Sequence, residues 1–331
     1  MIHTDGLTKW FKVTRGEYVH AVRAIDLSVG EGELAAVLGP NGAGKSTTLR
    51  MLTTLLEPSE GRATVAGHDV RSARAAVRQR IGYIGQGNGA GHYQRVRDEL
   101  VVQGYAYGLR RREAHRRADE LLDTLQLTEL AKRTVATLSG GQRRRLDIAL
   151  GLMHAPPVLF LDEPSTGLDP QNRANLWEHV LAVREQFGTT LLLTTHYLDE
   201  ADAMAERVVI IDHGRIIADD TSERLKAGLA GDRVSVVAAD PEDAARVAEL
   251  AVTAGEVHEA STDGPVVTVR APEGRALLPA WLRTLDAEGL KVSSADVARP
   301  TLDDVFLSLT GRSLREEAGD LPVATPEQVA A

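Results

Sequence analysis

The sequence predicts an α/β fold with a phosphate-binding loop, followed by a small C-terminal α+β domain. Three observations support this prediction. A glycine-rich loop lies between an apolar run and a helical segment, two later apolar runs end in polar residues, and beyond residue 228 the chain changes to valine-rich strands and two helices. Apolar runs that alternate with helical segments are typical of a parallel sheet covered on both faces.

Length, charge and composition limit the possible functions. The 331 residues suffice for two domains, and 43% hydrophobic with 26% charged residues is typical of a globular protein. A net charge of −9 argues against a broad nucleic-acid surface, so we expect no nucleic-acid partner. The absence of cysteine excludes disulfides and thiolate sites. The apolar stretch 148–161 is too short to span a bilayer, so a membrane role would need a separate partner.

The central motif is the loop between the apolar run 34–38 and the helical segment 48–52. It fits the pattern G-x-x-x-x-G-K-[ST] and consists of Gly39, Pro40, Asn41, Gly42, Ala43, Gly44, Lys45, Ser46 and Thr47. Backbone N–H groups and the helix N-terminus favour phosphate here. We expect Lys45 to contact the β- and γ-phosphates and Ser46 to contact Mg²⁺. The alternative is an ordinary glycine-rich turn. The later motifs distinguish it from a phosphate-binding loop.

Two further apolar runs end in chemically active side chains. The run 158–161 is followed by Asp162 and Glu163, and the run 191–195 by His196. Adjacent carboxylates at the carboxyl end of a strand are placed to act as magnesium ligand and water-activating base. The alternative is a pair of solvated acids. His196, at a third strand end of this kind, is a candidate for contacting a γ-phosphate.

The remaining segments of the first part carry weaker signals. Short strands are predicted within 2–29, and the aromatic pair Trp10 and Phe11 either stacks on a base or packs in an ordinary way. Residues 95–130 are helical in pattern, and their basic run 110–117 is either a solvated helix face or a patch for nucleic acid or lipid headgroups. Ser139 is placed to cap a helix whose first two glycines leave N–H groups free for an anion.

In combination, the ordered motifs resemble those of ABC-type ATPases over residues 2–225. The matching segments are Walker A (39–47), the Q-loop residue Gln86, the signature (138–142), Walker B (161–164), the D-loop (165–169) and the switch residue His196. The resemblance implies an ATPase domain over 1–228, in which a mixed sheet with a RecA-like core carries a helical subdomain at about 87–155.

The same resemblance implies ATP and Mg²⁺ as cofactors and assigns roles to residues. Glu163, His196, Lys45 and Gln86 are expected to be catalytic, and Ser46, Gln86 and Asp162 to hold the metal. A second copy of the chain is expected to bind head to tail, so that each ATP lies between one chain's loop and the other chain's Ser139, Gly140, Gly141 and Gln142. Asp169 of the D-loop joins this site. Phe11 falls where the family places its adenine-stacking aromatic, with Trp10 as the alternative.

The C-terminal part resembles that of ATP-binding subunits of daunorubicin-resistance-type drug exporters, through the motif at 300–311. We expect a small α+β domain over 229–312 and a disordered tail over 313–331. The resemblance implies a peripheral subunit on the cytoplasmic face of the membrane that powers export of a drug-like compound through a separate permease. Export of a lipid or polysaccharide remains an alternative. A soluble ABC ATPase acting on ribosomes or DNA is a third, although the single cassette without coiled coils argues against it.

Overall fold

The computed structural model describes residues 1–14, 17–87, 89–229 and 231–311. The chain divides into two compact units between Asp219 and Asp220. The sequence placed the domain boundary at residue 228. The difference arises because the helix Ser222–Leu229 packs against the helix Leu302–Thr310 of the second unit. The predicted tail at 313–331 lies outside the described residues.

The first unit contains eleven strands and seven α-helices within its described residues. The strands are β1 (Ile2–Thr14), β2 (Glu17–Ile25), β3 (Ser28–Val29), β4 (Leu34–Leu38), β5 (Glu60–Val65), β6 (His68–Asp69), β7 (Ile81–Ile84), β8 (Val158–Asp162), β9 (Thr190–Thr195), β10 (Arg207–Asp212) and β11 (Arg215–Asp220). The helices are α1 (Lys45–Leu52), α2 (Arg74–Arg80), α3 (Val96–Ala106), α4 (Arg111–Thr124), α5 (Gly140–Leu152), α6 (Pro170–Phe187) and α7 (Leu198–Met204).

The central sheet of this unit brings the ends of three strands to one edge. Its described strands follow the order β11-β10-β4-β9-β8-β7, and β4, β7, β8, β9 and β10 pair in parallel. Strands β4, β8 and β9 are buried throughout, as their continuous apolar runs predict. The register sets Leu38 beside Thr195 and Asp162 beside Thr194. The polar residues after these strands therefore meet at the same edge.

A second, antiparallel sheet packs beside the central one. β1 pairs with β2, β3 and β5, and β6 pairs with β5. Its buried side chains share one core with the central sheet and with α1, and this core includes Leu7, Val37, Leu49 and Phe160. The core thus fixes the helix that follows the phosphate-binding loop against both sheets.

Two predicted elements of the first unit are interrupted. The helical pattern over 95–130 forms α3 and α4, because Gly108 adopts a φ of 83° between them, and ends in a 3-10 helix at Thr128–Leu130. Within the segment 2–29, where the sequence predicts short strands, the chain is interrupted between β2 and β3. The Thr4 hydroxyl holds this interruption, since it donates to the Ile25 carbonyl and accepts from the Leu27 N–H. Among the described residues, no helix is long and apolar enough to cross a membrane.

The second unit has the chain order strand, helix, strand, strand, helix, strand, with one further helix at each end. Its elements are α8 (Ser222–Leu229), β12 (Asp232–Ala238), α9 (Ala244–Ala254), β13 (Glu259–Asp263), β14 (Val266–Ala271), α10 (Gly274–Ala287), β15 (Val292–Ala298) and α11 (Leu302–Thr310). The antiparallel sheet has the order β13-β14-β12-β15, which is the ferredoxin-like arrangement. Helices α9 and α10 supply Val247 and Trp281 to its core, and the Trp281 ring N–H donates to the Val247 carbonyl at 3.0 Å.

Candidate nucleotide-binding site

The loop from Gly39 to Gly44 connects the buried strand β4 to α1. Gly44 has a φ of 106°, and a Cβ there would lie 2.4 Å from the Ala21 carbonyl oxygen. A Cβ on Gly39 would lie 2.1 Å from the Ile211 carbonyl oxygen. Both positions therefore require glycine. The loop leads directly into the N-terminus of α1, whose first N–H groups favour an anion.

Lys45 lies at the centre of this loop. Its ammonium donates to the carbonyls of Gly39 and Pro40 at 2.7 and 3.1 Å, and it lies 3.6 Å from Glu163 Oε1. Burial lowers the pKa of Lys45, while the nearby carboxylate of Glu163 partly offsets this effect. The Lys45 charge is thus held in a buried position against the base predicted from the sequence.

Asp162 and Glu163 lie at the end of β8 but point to different partners. The Asp162 carboxylate accepts from the hydroxyls of Ser46 and Thr194, both at 2.8 Å, and the Tyr83 hydroxyl lies 3.4 Å away. Glu163 leaves the strand with a φ of 47°, in the left-handed region that non-glycine residues rarely adopt. Its backbone N–H donates to the Thr194 hydroxyl at 3.0 Å, which holds this strained turn in place.

His196 follows β9 and faces Glu163. Its Nδ1 lies 3.4 Å from Glu163 Oε2. The His196 ring lowers the pKa of Glu163, burial opposes this shift, and Lys45 adds to it. The structure therefore brings Lys45, Glu163 and His196 together, although they come from three separate segments of the sequence.

The three predicted metal-binding residues also lie close to one another. Ser46 Oγ donates to Asp162, and Gln86 Nε2 lies 3.5 Å from Ser46 Oγ. One carboxylate, one hydroxyl and one amide are oxygen donors of the type that Mg²⁺ uses beside nucleotide phosphates and water. Within the described ranges, no three histidine or acidic side chains form a metal cage. The residues thus fit a magnesium ion that arrives with a nucleotide.

The predicted signature residues begin α5. Ser139 caps this helix by accepting from the Gln142 N–H at 3.3 Å, and the Gln142 side chain accepts from the Ser139 N–H at 3.0 Å. Gly140 is exposed, while a Cβ on Gly141 would lie 2.6 Å from the Asn172 side-chain oxygen. No hydrogen bond or ion pair between described residues joins 139–142 to the loop 39–47.

Asp169, the last residue of the predicted D-loop, caps the neighbouring helix α6. Its carboxylate accepts from the backbone and side-chain N–H groups of Asn172 at 2.9 and 2.5 Å. The backbone hydrogen bond from Asn172 is the main cause of the lowered pKa of Asp169. Because Asn172 of α6 also contacts Gly141 of α5, the two helices meet at this residue. We call α5, which begins with the signature residues, the signature helix.

The two aromatic residues of β1 have different surroundings. The Trp10 ring packs edge-on against Tyr18, with 4.8 Å between the ring centroids. The Phe11 side chain is 42% exposed, and the Lys9 ammonium lies 5.3 Å from the centre of its ring. The exposed face of Phe11 is the more accessible surface for a base, so stacking by Phe11 stays the preferred prediction.

Sequence reasoning did not find three residues that shape this site. Thr194 forms hydrogen bonds with the Asp162 carboxylate and with the Glu163 backbone. The Tyr83 hydroxyl also lies near Asp162. Asn172 contacts both Asp169 and Gly141. A hydroxyl at the end of an apolar run was the available signal for Thr194. Nothing local in the sequence distinguishes Tyr83 or Asn172, because both act through contacts between distant segments.

Two family models match the chain. The model described as ABC transporter matches residues 22–166, and the model described as ATP-binding protein DrrA1-3-like, C-terminal domain, matches residues 221–310. The two matches fall in the two structural units described above.

Among similar proteins, the daunorubicin resistance ATP-binding protein DrrA2 of Streptomyces coeruleorubidus is 46% identical over 88% of this chain and 90% of its own length. The daunorubicin/doxorubicin resistance ATP-binding protein DrrA of Streptomyces peucetius is 43% identical over 98% of each chain. The linearmycin resistance ATP-binding protein LnrL of Bacillus subtilis (strain 168) is 36% identical over 89% of this chain and 95% of its own.

Solved structures with a similar fold are cassettes of ABC transporters. A dimeric post-hydrolysis structure of the cassette MJ0796 bound to ADP and Pi gives a TM-score of 0.61 at 25% identity and covers 67% of this chain and 98% of that one. The cbiO1 protein from Clostridium perfringens, part of the transporter complex cbiONQ, gives 0.62 at 27% identity and covers 69% and 90%. The α/β cassette fold predicted from the sequence is thereby confirmed.

Proposed function

The chain belongs to the ATP-binding proteins of ABC transporters, and on that premise we propose that its ATPase activity drives export of a drug-like or antibiotic compound through a separate membrane permease. ATP binding and hydrolysis follow from the family itself. The cargo proposal is supported by the names of similar proteins, which include daunorubicin, doxorubicin and linearmycin resistance ATP-binding proteins. It places the chain at the cytoplasmic face of the membrane, beside its permease.

One observation carries the catalytic part of the proposal. At the end of the central sheet, beside a loop that requires glycine, the Glu163 carboxylate lies 3.6 Å from the Lys45 ammonium and 3.4 Å from the His196 imidazole. Glu163 is the only carboxylate in this triad and is held ionised by its neighbours. In the proposed mechanism it orients and polarises the water that attacks the γ-phosphate in line.

The other residues bind and orient the phosphates. Lys45 and His196 hold the γ-phosphate as negative charge moves to the leaving oxygen. Ser46, Asp162 and Gln86 would hold Mg²⁺, which neutralises charge on the phosphate oxygens.

Thr194 keeps both carboxylates of this edge in place, because its hydroxyl contacts Asp162 and the Glu163 backbone. Phe11 stacks on the adenine.

A second copy of the chain completes the proposed site. Ser139, Gly140, Gly141 and Gln142 form an accessible helix N-terminus whose N–H groups suit a phosphate, but they are not bonded to the loop of their own chain. In a head-to-tail dimer they contact the partner's ATP, with Asp169 at the boundary between the two sites. The known dimeric structure of MJ0796 is a precedent in a relative of this fold.

The transport proposal is tested by copurifying the chain with the membrane protein encoded beside it. In liposomes that contain both proteins, an anthracycline should stimulate ATP hydrolysis, and the stimulation should require the permease. Copurification with ribosomes in place of a membrane protein would contradict the proposal. Such a result would favour a soluble ABC ATPase that acts on ribosomes.

A different cargo is the second candidate. Two relatives are named Nod factor export ATP-binding protein I, and the one from Burkholderia lata is 36% identical over 89% of this chain. A lipid or saccharide cargo is distinguished in the same liposomes, because it would stimulate hydrolysis where anthracyclines do not.

A further inference from the structure

Helix α5 carries two buried charged residues on one face. Arg144 and Asp147 are 6% and 5% exposed, and neither belongs to the motifs recognised in the sequence. Residues three positions apart lie on the same side of a helix, so both side chains point towards the same neighbouring segments. The same helix begins with the signature residues 139–142.

Arg144 binds the backbone on either side of the proposed catalytic centre. Its Nε donates to the Pro164 carbonyl and its Nη1 to the Gly85 carbonyl, both at 2.7 Å. Pro164 directly follows Glu163, and Gly85 directly precedes Gln86. Burial lowers the pKa of Arg144, although its guanidinium stays charged because arginine retains its proton in proteins. One side chain therefore fixes the spacing between these two segments.

Asp147 binds the same loop beyond Gln86. Its Oδ1 accepts from the backbone N–H groups of Gly89 and Ala90 at 2.9 and 3.1 Å. Burial raises the pKa of Asp147, while these N–H groups and Arg144 oppose the shift. The loop that carries Gln86 is thus attached to α5 on both sides, by Arg144 before Gln86 and by Asp147 after it.

Packing alone does not account for these two residues. Arg144 Nη2 and Asp147 Oδ2 have no hydrogen-bond partner among the described residues. Burying incompletely paired charges costs free energy that well-packed apolar side chains would avoid. What the charged pair provides, and an apolar pair would not, is a set of directional bonds to four specific backbone groups.

We propose that Arg144 and Asp147 are positioning residues that attach the Gln86 loop, and the segment after Glu163, to the signature helix. A shift of α5 when its N-terminus engages the partner's ATP is then transmitted to Gln86 and Glu163 of its own site. This inference rests on the proposed roles of Gln86 and Glu163. It adds a physical link between the two ATP sites of the dimer.

The test is a double-mutant cycle between Asp147→Ala and Gln86→Ala in the full-length protein. For each variant, kcat, the KM for ATP, and the Mg²⁺ concentration that gives half-maximal activity are measured. Asp147→Ala should lower kcat about 10- to 100-fold and raise the Mg²⁺ requirement, because a misplacement of about 1 Å can cost about 100-fold. In the Gln86→Ala background, Asp147→Ala should have little further effect.

Two variants separate positioning from general stability. Asp147→Asn retains an oxygen acceptor for Gly89 and Ala90, so it should restore most of the activity that Asp147→Ala loses. Asp123→Ala, on the exposed side of α4, is the matched control and should leave all three parameters unchanged. If Asp147→Ala fails to fold, Arg144→Lys, which keeps the charge but reaches one carbonyl, takes its place and should lower kcat in the same non-additive way.

The outcomes distinguish this inference from the proposed function. Independent, multiplicative effects of Asp147→Ala and Gln86→Ala would overturn the inference, and so would a lowered melting temperature with unchanged kcat. If Gln86→Ala and Glu163→Gln both leave ATP hydrolysis unchanged, the catalytic part of the proposed function is wrong.

Discussion

The backbone of Glu163 is strained, and hydrogen bonds to Thr194 hold it in place. Its φ of 47° is unfavourable for a residue with a side chain, yet the Thr194 hydroxyl and carbonyl both accept from its N–H, at 3.0 and 3.1 Å. This turn directs the carboxylate of Glu163 towards Lys45 and His196, while Asp162 points towards Ser46. Two adjacent acids thereby face different partners, as the proposed roles in water activation and metal binding require.

At the same scale, Lys45→Ala should weaken ATP binding. The substitution removes a buried charge-assisted contact worth about 1.5 to 3 kcal/mol, or about 10- to 150-fold in the dissociation constant. Titration calorimetry with a non-hydrolysable ATP analogue measures this effect. Lys132→Ala, at an exposed position, is the control. Equal affinities for Lys45→Ala and the unchanged protein would show that Lys45 lies outside the site.

Among the elements, α11 is held by an unusually complete N-terminal cap. Asp304 accepts from the N–H and hydroxyl of Thr301 at 2.9 and 2.7 Å, and from the Arg270 guanidinium of β14 at 2.8 Å. Burial tends to raise the pKa of Asp304, but the bonds from Thr301 and Arg270 outweigh it, so the pKa lies below its ordinary value. The cap therefore joins α11 to the sheet of the second unit.

Asp304→Asn should reduce the stability of the second unit by about 1 to 2 kcal/mol at neutral pH, because one charge-assisted bond is lost. A lowered pKa stabilises the fold above the unfolded value of about 3.9, and this contribution disappears as the pH falls through the folded value. Urea unfolding should show the two proteins converging as the pH falls below about 4.

Asp286→Asn, on the exposed side of α10, controls for charge alone in this comparison. A stability difference between Asp304→Asn and the unchanged protein that stays constant down to acid pH would contradict the assignment.

The sequence predicted elements best where burial is continuous. The apolar runs that form β8 and β9 are buried along their whole length, and the glycine loop is defined by its motif. Strands β13 and β15 are not among the valine-rich strands that the sequence predicts beyond residue 228. β13 reads Glu-Ala-Ser-Thr-Asp and is exposed throughout, so its pairing with β14 leaves no hydrophobic signal.

The same limit applies to the site. The sequence identifies residues that lie within motifs, but not the residues from distant segments that contact them. Arg144 lies in a run of three arginines that the sequence does not distinguish from one another, yet its side chain is buried against Gly85 and Pro164. Only the packing of α5 against those two segments distinguishes it from its neighbours. Contacts of this kind depend on the tertiary fold.

For the whole molecule, the proposed head-to-tail dimer predicts complementation between two inactive variants. Lys45→Ala damages the loop side of a site, and Ser139→Arg damages the signature side. Each homodimer should be inactive, but a mixed dimer has one site in which both sides are intact. An equal mixture should recover up to about a quarter of normal ATPase activity, because about half the dimers are mixed and half their sites are intact. Sites contained within single chains would give no recovery.

The central claim is that ATP is hydrolysed at this edge of the sheet with Glu163 as the base. The most direct test compares ATP binding and single-turnover hydrolysis in the unchanged protein and in Glu163→Gln, with Glu178→Gln on the exposed side of α6 as control. Glu163→Gln should bind ATP with near-normal affinity and hydrolyse it about 100- to 10,000-fold more slowly. Near-normal hydrolysis by Glu163→Gln would contradict the claim.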